Sequence, residues 1–350
     1  MTFTAAHAAP LAFDASSQAD IDFAGGRGEP PPATVALRGT HEIVLALRHA
    51  GSRRVRIAWE LQGAVDAPLL IVQGGISAHR HAAASARFAE PGWWAGQCGE
   101  TRALDTARYR VLAIDWLGAD GALDCCIDPA DQADAIAAVL DTLAIARAHA
   151  YIGASYGAMV GLQFAARHPA RLGRLIAISG AHRSHPQTTA LRVIQRRIVA
   201  LGRSEGTARE ALALARALAV VGYRSAEEFD ARFAALPAVD ADSARFGVED
   251  YFDAIGPRFV ARFSPVAYTR LSESIDLQQV DPASITVPTD LVAVTQDQIV
   301  PCSDIDALAL GIAAACRVHR IDSLYGHDAF LKEPVQIDRV LRAALRGDAA

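Results

Sequence analysis

Residues 150–169 read AYIGASYGAMVGLQFAARHP, and the fold turns on this stretch. Its first five residues are an apolar run of the kind that forms a strand covered on both faces. From Tyr156 onward apolar residues recur at helical spacing until Pro169 stops them. Between the two lies Gly153-Ala154-Ser155-Tyr156-Gly157, a Gly-x-Ser-x-Gly sequence at a strand-to-helix junction. In so tight a turn, side chains two residues to either side of the serine would collide, hence the glycines. The turn lifts the serine hydroxyl above the sheet, at a helix N-terminus whose N–H groups can meet an oxyanion. The pentapeptide alone is a weak signal. Its position between strand and helix makes Ser155 a candidate nucleophile rather than a serine helix cap.

The same alternation extends outward. Residues 68–75 and 109–118 read as buried strands, and the Ala-rich residues 131–147 as a helix. Strands at 172–180, 289–296 and 316–322 follow, with helices over 303–315 and 334–346. This predicts a mostly parallel central sheet with helices on both faces. Ahead of it, residues 42–49 and 55–63 predict a hairpin turning at Gly51 and Ser52. Residues 183–281 break the alternation, read as helical throughout, and are too long for a loop. The expected organisation is a core over 34–182 and 282–350, a helical cap or lid inserted at 183–281, and a loosely ordered arm over 1–33. The Gly- and Pro-rich run at 25–32 has no apolar face.

Composition narrows the function classes. The 350 residues suit one α/β domain carrying an insertion, and 51% of them are hydrophobic and 21% charged. A formal net charge of −5 lacks the basic face that nucleic-acid binding needs. The five cysteines are odd in number and include the neighbours Cys125 and Cys126, which suits reduced thiols in a cytoplasmic protein. No apolar run approaches the length of a membrane span, so no membrane partner is expected.

A serine at its free pKa is a poor nucleophile. It needs a base, usually a histidine oriented by a carboxylate, and in this kind of sheet the chain order is serine, acid, histidine. His327 follows the last strand after a loop and is the candidate base. His319 lies inside that strand, and His182 and His185 follow an earlier one. Asp297, just after the strand at 289–296, is the candidate acid. Asp322 competes, but it ends the same strand that leads to His327. Two backbone N–H groups should form the oxyanion hole. One belongs to Tyr156, after the nucleophile, and the other to Gly75 in the loop Gln73-Gly74-Gly75-Ile76-Ser77.

Several further blocks stand in order along the chain: Gly92-Trp93-Trp94, Tyr223-Arg224-Ser225, Val248-Glu249-Asp250-Tyr251, Arg258-Phe259-Val260 and Gly326-His327-Asp328-Ala329-Phe330. From about Pro68 to the C-terminus they make the chain resemble the homoserine O-acyltransferases, enzymes of the α/β-hydrolase fold. It departs from that family in a shorter segment at 119–123 and in Tyr156, where methionine is usual. The resemblance implies a ping-pong reaction of methionine biosynthesis with no cofactor. Ser155 takes an acyl group from acyl-CoA, and the hydroxyl of an amino acid collects it, with His327 as base and then acid. It further implies that Arg224 meets the acceptor's carboxylate, that Asp328 meets its ammonium, and that the enzyme is a homodimer.

Arg192 bears on the acyl group. Acetyl-transferring relatives tend to have asparagine there, whereas succinyl-transferring relatives resemble this chain. A succinyl group ends in a carboxylate that a buried arginine can pair with, so succinyl-CoA is the expected co-substrate and acetyl-CoA the alternative. The other reading of Arg192 is an exposed residue of a basic helix with Arg196 and Arg197. Homoserine is the expected acceptor by general likeness, with serine the alternative, since one methylene carries only ~1–3 kcal/mol of discrimination. An esterase using the same three residues is a more distant reading.

Overall fold

The computed structural model describes residues 34–346, and the arm expected over 1–33 lies outside them. The strands are β1 (Thr34–Leu47), β2 (Gly51–Ala64), β3 (Leu69–Gln73), β4 (Arg110–Ile114), β5 (Ala150–Ala154), β6 (Leu175–Ile178), β7 (Ala238–Val239), β8 (Ala244–Arg245), β9 (Thr289–Val294) and β10 (Cys316–Ile321). The helices are α1 (Pro129–Thr142), α2 (Tyr156–Arg167), α3 (Pro186–Ser204), α4 (Ala208–Tyr223), α5 (Ala226–Phe233), α6 (Gly247–Val260), α7 (Pro265–Asp276), α8 (Cys302–Gly311), α9 (Ala329–Lys332) and α10 (Pro334–Arg346).

Eight strands form one sheet in the order β1-β2-β4-β3-β5-β6-β9-β10. β2 runs antiparallel to β1 and β4, and every other neighbouring pair is parallel. Both faces are covered, which is why the inner strands read as unbroken apolar runs. In β3, Leu69 and Ile71 enter the core that includes α1 and α2, while Leu70 and Val72 enter the core that includes α10. Each such fully buried side chain contributes about 1.5–3 kcal/mol.

The connection from β3 leads to β4 on one side. The next returns past β3 to β5 on the other. The C-terminal ends of β3 and β5 therefore flank a topological switch point, where open α/β sheets bind their ligands. The loop with Gly74 and Gly75 and the turn with Ser155 meet there: the N–H of Gly157 donates to the carbonyl of Gly74 at 2.9 Å.

The chain leaves this core after β6 for α3 to α7. Arg183 and Gln279 pair as an antiparallel bridge at the neck, and the N–H of Val280 donates to the carbonyl of His182 at 2.9 Å. The Tyr156 hydroxyl lies 2.6 Å from Ser274 Oγ on α7, and Gln278 Nε2 donates to the carbonyls of Met159 and Ala181, both at 3.3 Å.

Several expectations differ from the structure, among them the helix over 303–315, which ends at Gly311, and the strand over 109–118, which ends at Ile114. The segment at 183–281 is not helical throughout, because β7 and β8 form a two-residue hairpin around a turn held by Asp240, whose Oδ1 accepts the N–H groups of Asp242 and Ser243. The first hairpin is longer than 42–49 and 55–63. β1 is an edge strand whose side chains are exposed or half-buried until Leu47, so its first half carries no apolar run to read. Helix α1 ends at Thr142 and not at 147. Ala144 takes a left-handed φ of 52°, and the N–H of Ile145 reaches back to the carbonyl of Leu140 at 2.9 Å. That closure normally announces itself with glycine, and here alanine fills it. Among the described residues no helix is long and apolar enough to cross a membrane.

Candidate active site

Ser155 sits between β5 and α2 at φ 57° and ψ −120°, a left-handed conformation that costs a non-glycine residue about 1–3 kcal/mol. The flanking glycines make the turn possible. A Cβ at Gly153 would stand 2.3 Å from the carbonyl oxygen of Gly157, and one at Gly157 would stand 2.3 Å from that of Gln73. Both obstacles are backbone and cannot swing aside.

Asp297 follows β9. Its Oδ1 accepts the N–H groups of Ile299 at 2.8 Å and Val300 at 2.9 Å, which leaves Oδ2 for His327 Nδ1 at 2.8 Å. An ionised carboxylate only accepts, so Nδ1 carries the proton and Nε2 faces Ser155 Oγ, 2.8 Å away, as acceptor. Three side chains from three separate strand ends thus share one hydrogen-bonded line. Burial alone would push the His327 imidazole down. The charge and hydrogen bond of Asp297, with Asp328 adding to them, outweigh burial and raise it above its ordinary value.

The competitors lie elsewhere. Asp322 is exposed, and its backbone carbonyl accepts from Gln336 Nε2 at 2.9 Å. His319 bonds Asp290 Oδ1 at 2.9 Å in a cluster with Arg317 and Arg174. His185 Nδ1 accepts the N–H of Gln187 at the start of α3.

As the first residue of α2, Tyr156 has an N–H without an intrahelical partner. The carbonyl of Gly75 is pinned by the N–H of Ala78 at 2.9 Å and Trp116 Nε1 at 3.0 Å. A Cβ at Gly75 would meet nothing within 4 Å, so the backbone there borders open space. That space is a cavity of about 190 Å³ lined by Gly75, Tyr156, Ser155, His327 and Asp328, with residues of α3, α4, α6 and α7 also on its wall.

Arg192 is on the cavity wall and only 9% exposed, so it is not a surface residue of a basic helix. It is also not a free cation. Nε donates to Asp276 Oδ1 at 2.7 Å and Nη2 to Ser184 and Thr188, while Arg196 Nη1 donates to Asp276 Oδ2 at 2.7 Å. Two guanidiniums share one carboxylate and leave a net positive charge, and Arg192 Nη1 has no partner among the described residues.

Arg224 is placed differently from the expectation. Nη1 donates to both oxygens of Glu228, at 2.8 and 2.9 Å. Nε forms an ion pair with Asp328 Oδ2 at 3.1 Å, but its N–H is not aimed along a hydrogen bond. Asp328 lines the cavity and Arg224 stands behind it. Two residues of α4 to which the sequence reading gave no role also line the cavity. Tyr223 places its ring 5.8 Å from the His327 ring, and Arg216 lies over Tyr223 and Phe259. An arginine set in the apolar run at 211–223 of α4 was the available signal.

Fold and site together are those of the α/β-hydrolase class. The model of the alpha/beta hydrolase fold family matches residues 68–334. A homoserine O-succinyltransferase of Xanthomonas campestris pv. campestris is 54% identical over 91% of this chain and 85% of its own length. A serine O-succinyltransferase of the same organism is 31% identical over 83% of this chain and 92% of its own. The crystal structure of a homoserine O-acetyltransferase from Bacillus anthracis shares the fold at a TM-score of 0.81 and 16% identity, covering 90% of this chain and 99% of that one. The chain belongs to the α/β-hydrolase family, in its homoserine O-acyltransferase branch.

Proposed function

We propose that this chain transfers a succinyl group from succinyl-CoA to the hydroxyl of L-homoserine, a step of methionine biosynthesis, through an acyl-enzyme on Ser155. Ser155 Oγ gives its proton to His327 Nε2 and attacks the thioester carbonyl. The N–H groups of Gly75 and Tyr156 meet the oxyanion. On collapse the C–S bond breaks, and the proton on His327 leaves with the CoA sulfur. In the second half the acceptor hydroxyl gives its proton to His327 and attacks the acyl carbonyl, and Ser155 leaves with that proton as the ester is released. Asp297 holds the imidazole in the tautomer that both halves need.

The observation that carries this reading is the charge built into the cavity above Ser155. Asp328 stands beside His327 to meet an ammonium. The paired guanidiniums of Arg192 and Arg196 outnumber Asp276 and favour an anionic acyl group. The relative at 54% identity supports the choice of donor and acceptor. The test is a matrix of succinyl-CoA and acetyl-CoA against homoserine and serine, with CoA release as readout. Succinyl-CoA with homoserine should be fastest. CoA release that ignores the acceptor would make the protein a hydrolase, and faster turnover of serine would move it to serine O-succinyl transfer.

The active species is a homodimer in this reading, and the reaction runs in the cytoplasm, where the five free thiols stay reduced. Ile194 and Leu201 on α3, and Leu214 and Val221 on α4, are exposed and seven residues apart on each helix. Two neighbouring helices with such a stripe suit burial against their own copy across a two-fold axis. Leu201→Glu with Leu214→Glu should yield a monomer in sedimentation. A wild-type monomer would refute the dimer.

A further inference from the structure

An oxyanion hole works only if its donors are aimed before charge develops, so whatever fixes them is part of the catalyst. The N–H of Gly75 belongs to the peptide whose carbonyl is that of Gly74, and the N–H of Gly157 holds that carbonyl at 2.9 Å. The following peptide ends in the carbonyl of Gly75. A Cβ at Gly75 would meet nothing within 4 Å, so packing does not set the two torsions between these peptides, and glycine leaves them free. Hydrogen bonds set them instead. The carbonyl of Gly75 accepts from the N–H of Ala78 at 2.9 Å and from Trp116 Nε1 at 3.0 Å.

The Ala78 bond lies within the loop and moves with it. Trp116 comes from outside, just past the end of β4, and is only 2% exposed. Its neighbours grip the same loop. The N–H of Ile114 donates to Gln73 Oε1 at 2.9 Å, and Asp115 Oδ1 accepts the N–H of Arg80 at 2.7 Å. Three consecutive residues thus hold residues 73–80 at three points. Trp116 also touches the residue of the second donor. Its ring meets that of Tyr156 edge to face, with 4.9 Å between centres and 71° between planes. Tyr156 stands where methionine is usual in the family. Its ring is buried and its hydroxyl lies against Ser274 Oγ.

We propose that Trp116 is a positioning residue of the oxyanion hole. Its indole N–H fixes the Gly75 peptide and its ring fixes Tyr156, so one side chain sets the spacing of the two donors. Trp116 is not among the residues lining the cavity above Ser155, and it acts through these two residues and not on substrate. This rests on Gly75 and Tyr156 as the donors given under the proposed function.

The test compares Trp116→Phe with Trp116→His. Phenylalanine keeps a large buried ring and loses the donor. In histidine Nε2 stands as many bonds from Cβ as Nε1 does in tryptophan, so the donor is kept and the benzo ring is lost. Removing an oxyanion donor outright costs about 10²–10³ in kcat. Loosening one should slow both half-reactions of Trp116→Phe by about 10-fold or more, with the KM values for succinyl-CoA and homoserine unchanged. Trp116→His should recover most of that rate although it leaves the larger cavity and melts lower. A residue that only fills space would rank the two variants the other way. The probe of the hole itself is 3-boronopropanoic acid, in which boron replaces the reacting carbonyl carbon of a succinyl group. Ser155 Oγ adds to boron, and a boronate oxygen takes the place of the oxyanion. Its inhibition constant should rise in Trp116→Phe by the factor lost from kcat, and hardly at all in Trp116→His. Wild-type kcat and boronate inhibition in Trp116→Phe overturn the assignment, and so does a Trp116→His enzyme no faster than Trp116→Phe. A wild type that forms no boronate adduct at Ser155 would instead overturn the donors of the proposed function, and this assignment with them.

Discussion

Arg224 and Asp328 hold each other: Nε of one lies 3.1 Å from Oδ2 of the other, joining the end of α4 to the turn that carries His327. The cap therefore reaches the base through a neighbouring charge as well as through the Tyr223 ring. Asp328 also helps to raise the His327 imidazole. Replacing Asp328 with Asn should shift the acidic limb of the rate–pH profile downward. An unchanged limb would mean that Asp328 acts on the acceptor alone.

Ser155→Ala should leave the fold intact, because alanine tolerates the turn no worse than serine, and should abolish acylation. Loss of a serine nucleophile of this kind typically costs about 10⁶-fold in kcat. Mass spectrometry after mixing with succinyl-CoA should find the adduct on the peptide containing Ser155. An adduct elsewhere would end the mechanism.

Asp297→Asn should slow both half-reactions by about 10⁴-fold, since an amide can leave the imidazole in the wrong tautomer. Asp322→Asn, at an exposed strand end, should be near wild type. In the proposed reaction His327 works as neutral imidazole, and its pKa is raised, so the wild-type rate should climb with pH through a midpoint above the ordinary histidine value of about 6.5. Without the Asp297 charge that midpoint should fall. Reversed effects in the two variants would exchange the acid.

Arg192→Asn should cut kcat/KM for succinyl-CoA by an amount equivalent to ~2–5 kcal/mol, the usual loss when one member of a buried charged pair is removed. Acetyl-CoA should be used as well as before or better. Arg196 stays on Asp276 in this variant, so the carboxylate is not left alone. An equal fall with both donors would reduce Arg192 to a support of the cap.

Gly157→Ala should fail differently. Its Cβ would stand 2.3 Å from the Gln73 carbonyl oxygen, so β3 and α2 would have to part. The expected result is a lower Tm by circular dichroism together with lost acylation, whereas the Ser155→Ala protein melts near wild type. A Gly157→Ala protein of wild-type Tm would contradict the packing of this turn.

What could be read from the sequence follows the range of the interactions involved. The turn at Ser155 is dictated within five residues, and the buried strands by runs of five or six, so both were legible. The order of serine, acid and histidine is a property of the sheet, and it separated Asp297 from Asp322. The end of α1 was not legible because Ala144 does what glycine usually does. The pairing of Arg192 with Asp276 joins residues 84 apart in the chain, and no local pattern announces it. Arg216 looked like one more arginine of a helix that also carries Arg209, until the fold set it over Tyr223 and Phe259. The position of Arg224 behind Asp328 could come only from the fold, since it depends on Glu228 claiming one side of the guanidinium.

The 2.6 Å contact between the Tyr156 hydroxyl and Ser274 Oγ ties the residue after the nucleophile to the last helix of the cap. Both groups are buried, so neither can turn to water if the other withdraws. Leu236, in the same inserted stretch, is by contrast 93% exposed. Removing the Ser274 hydroxyl would therefore take a buried hydrogen-bond partner from the residue beside Ser155.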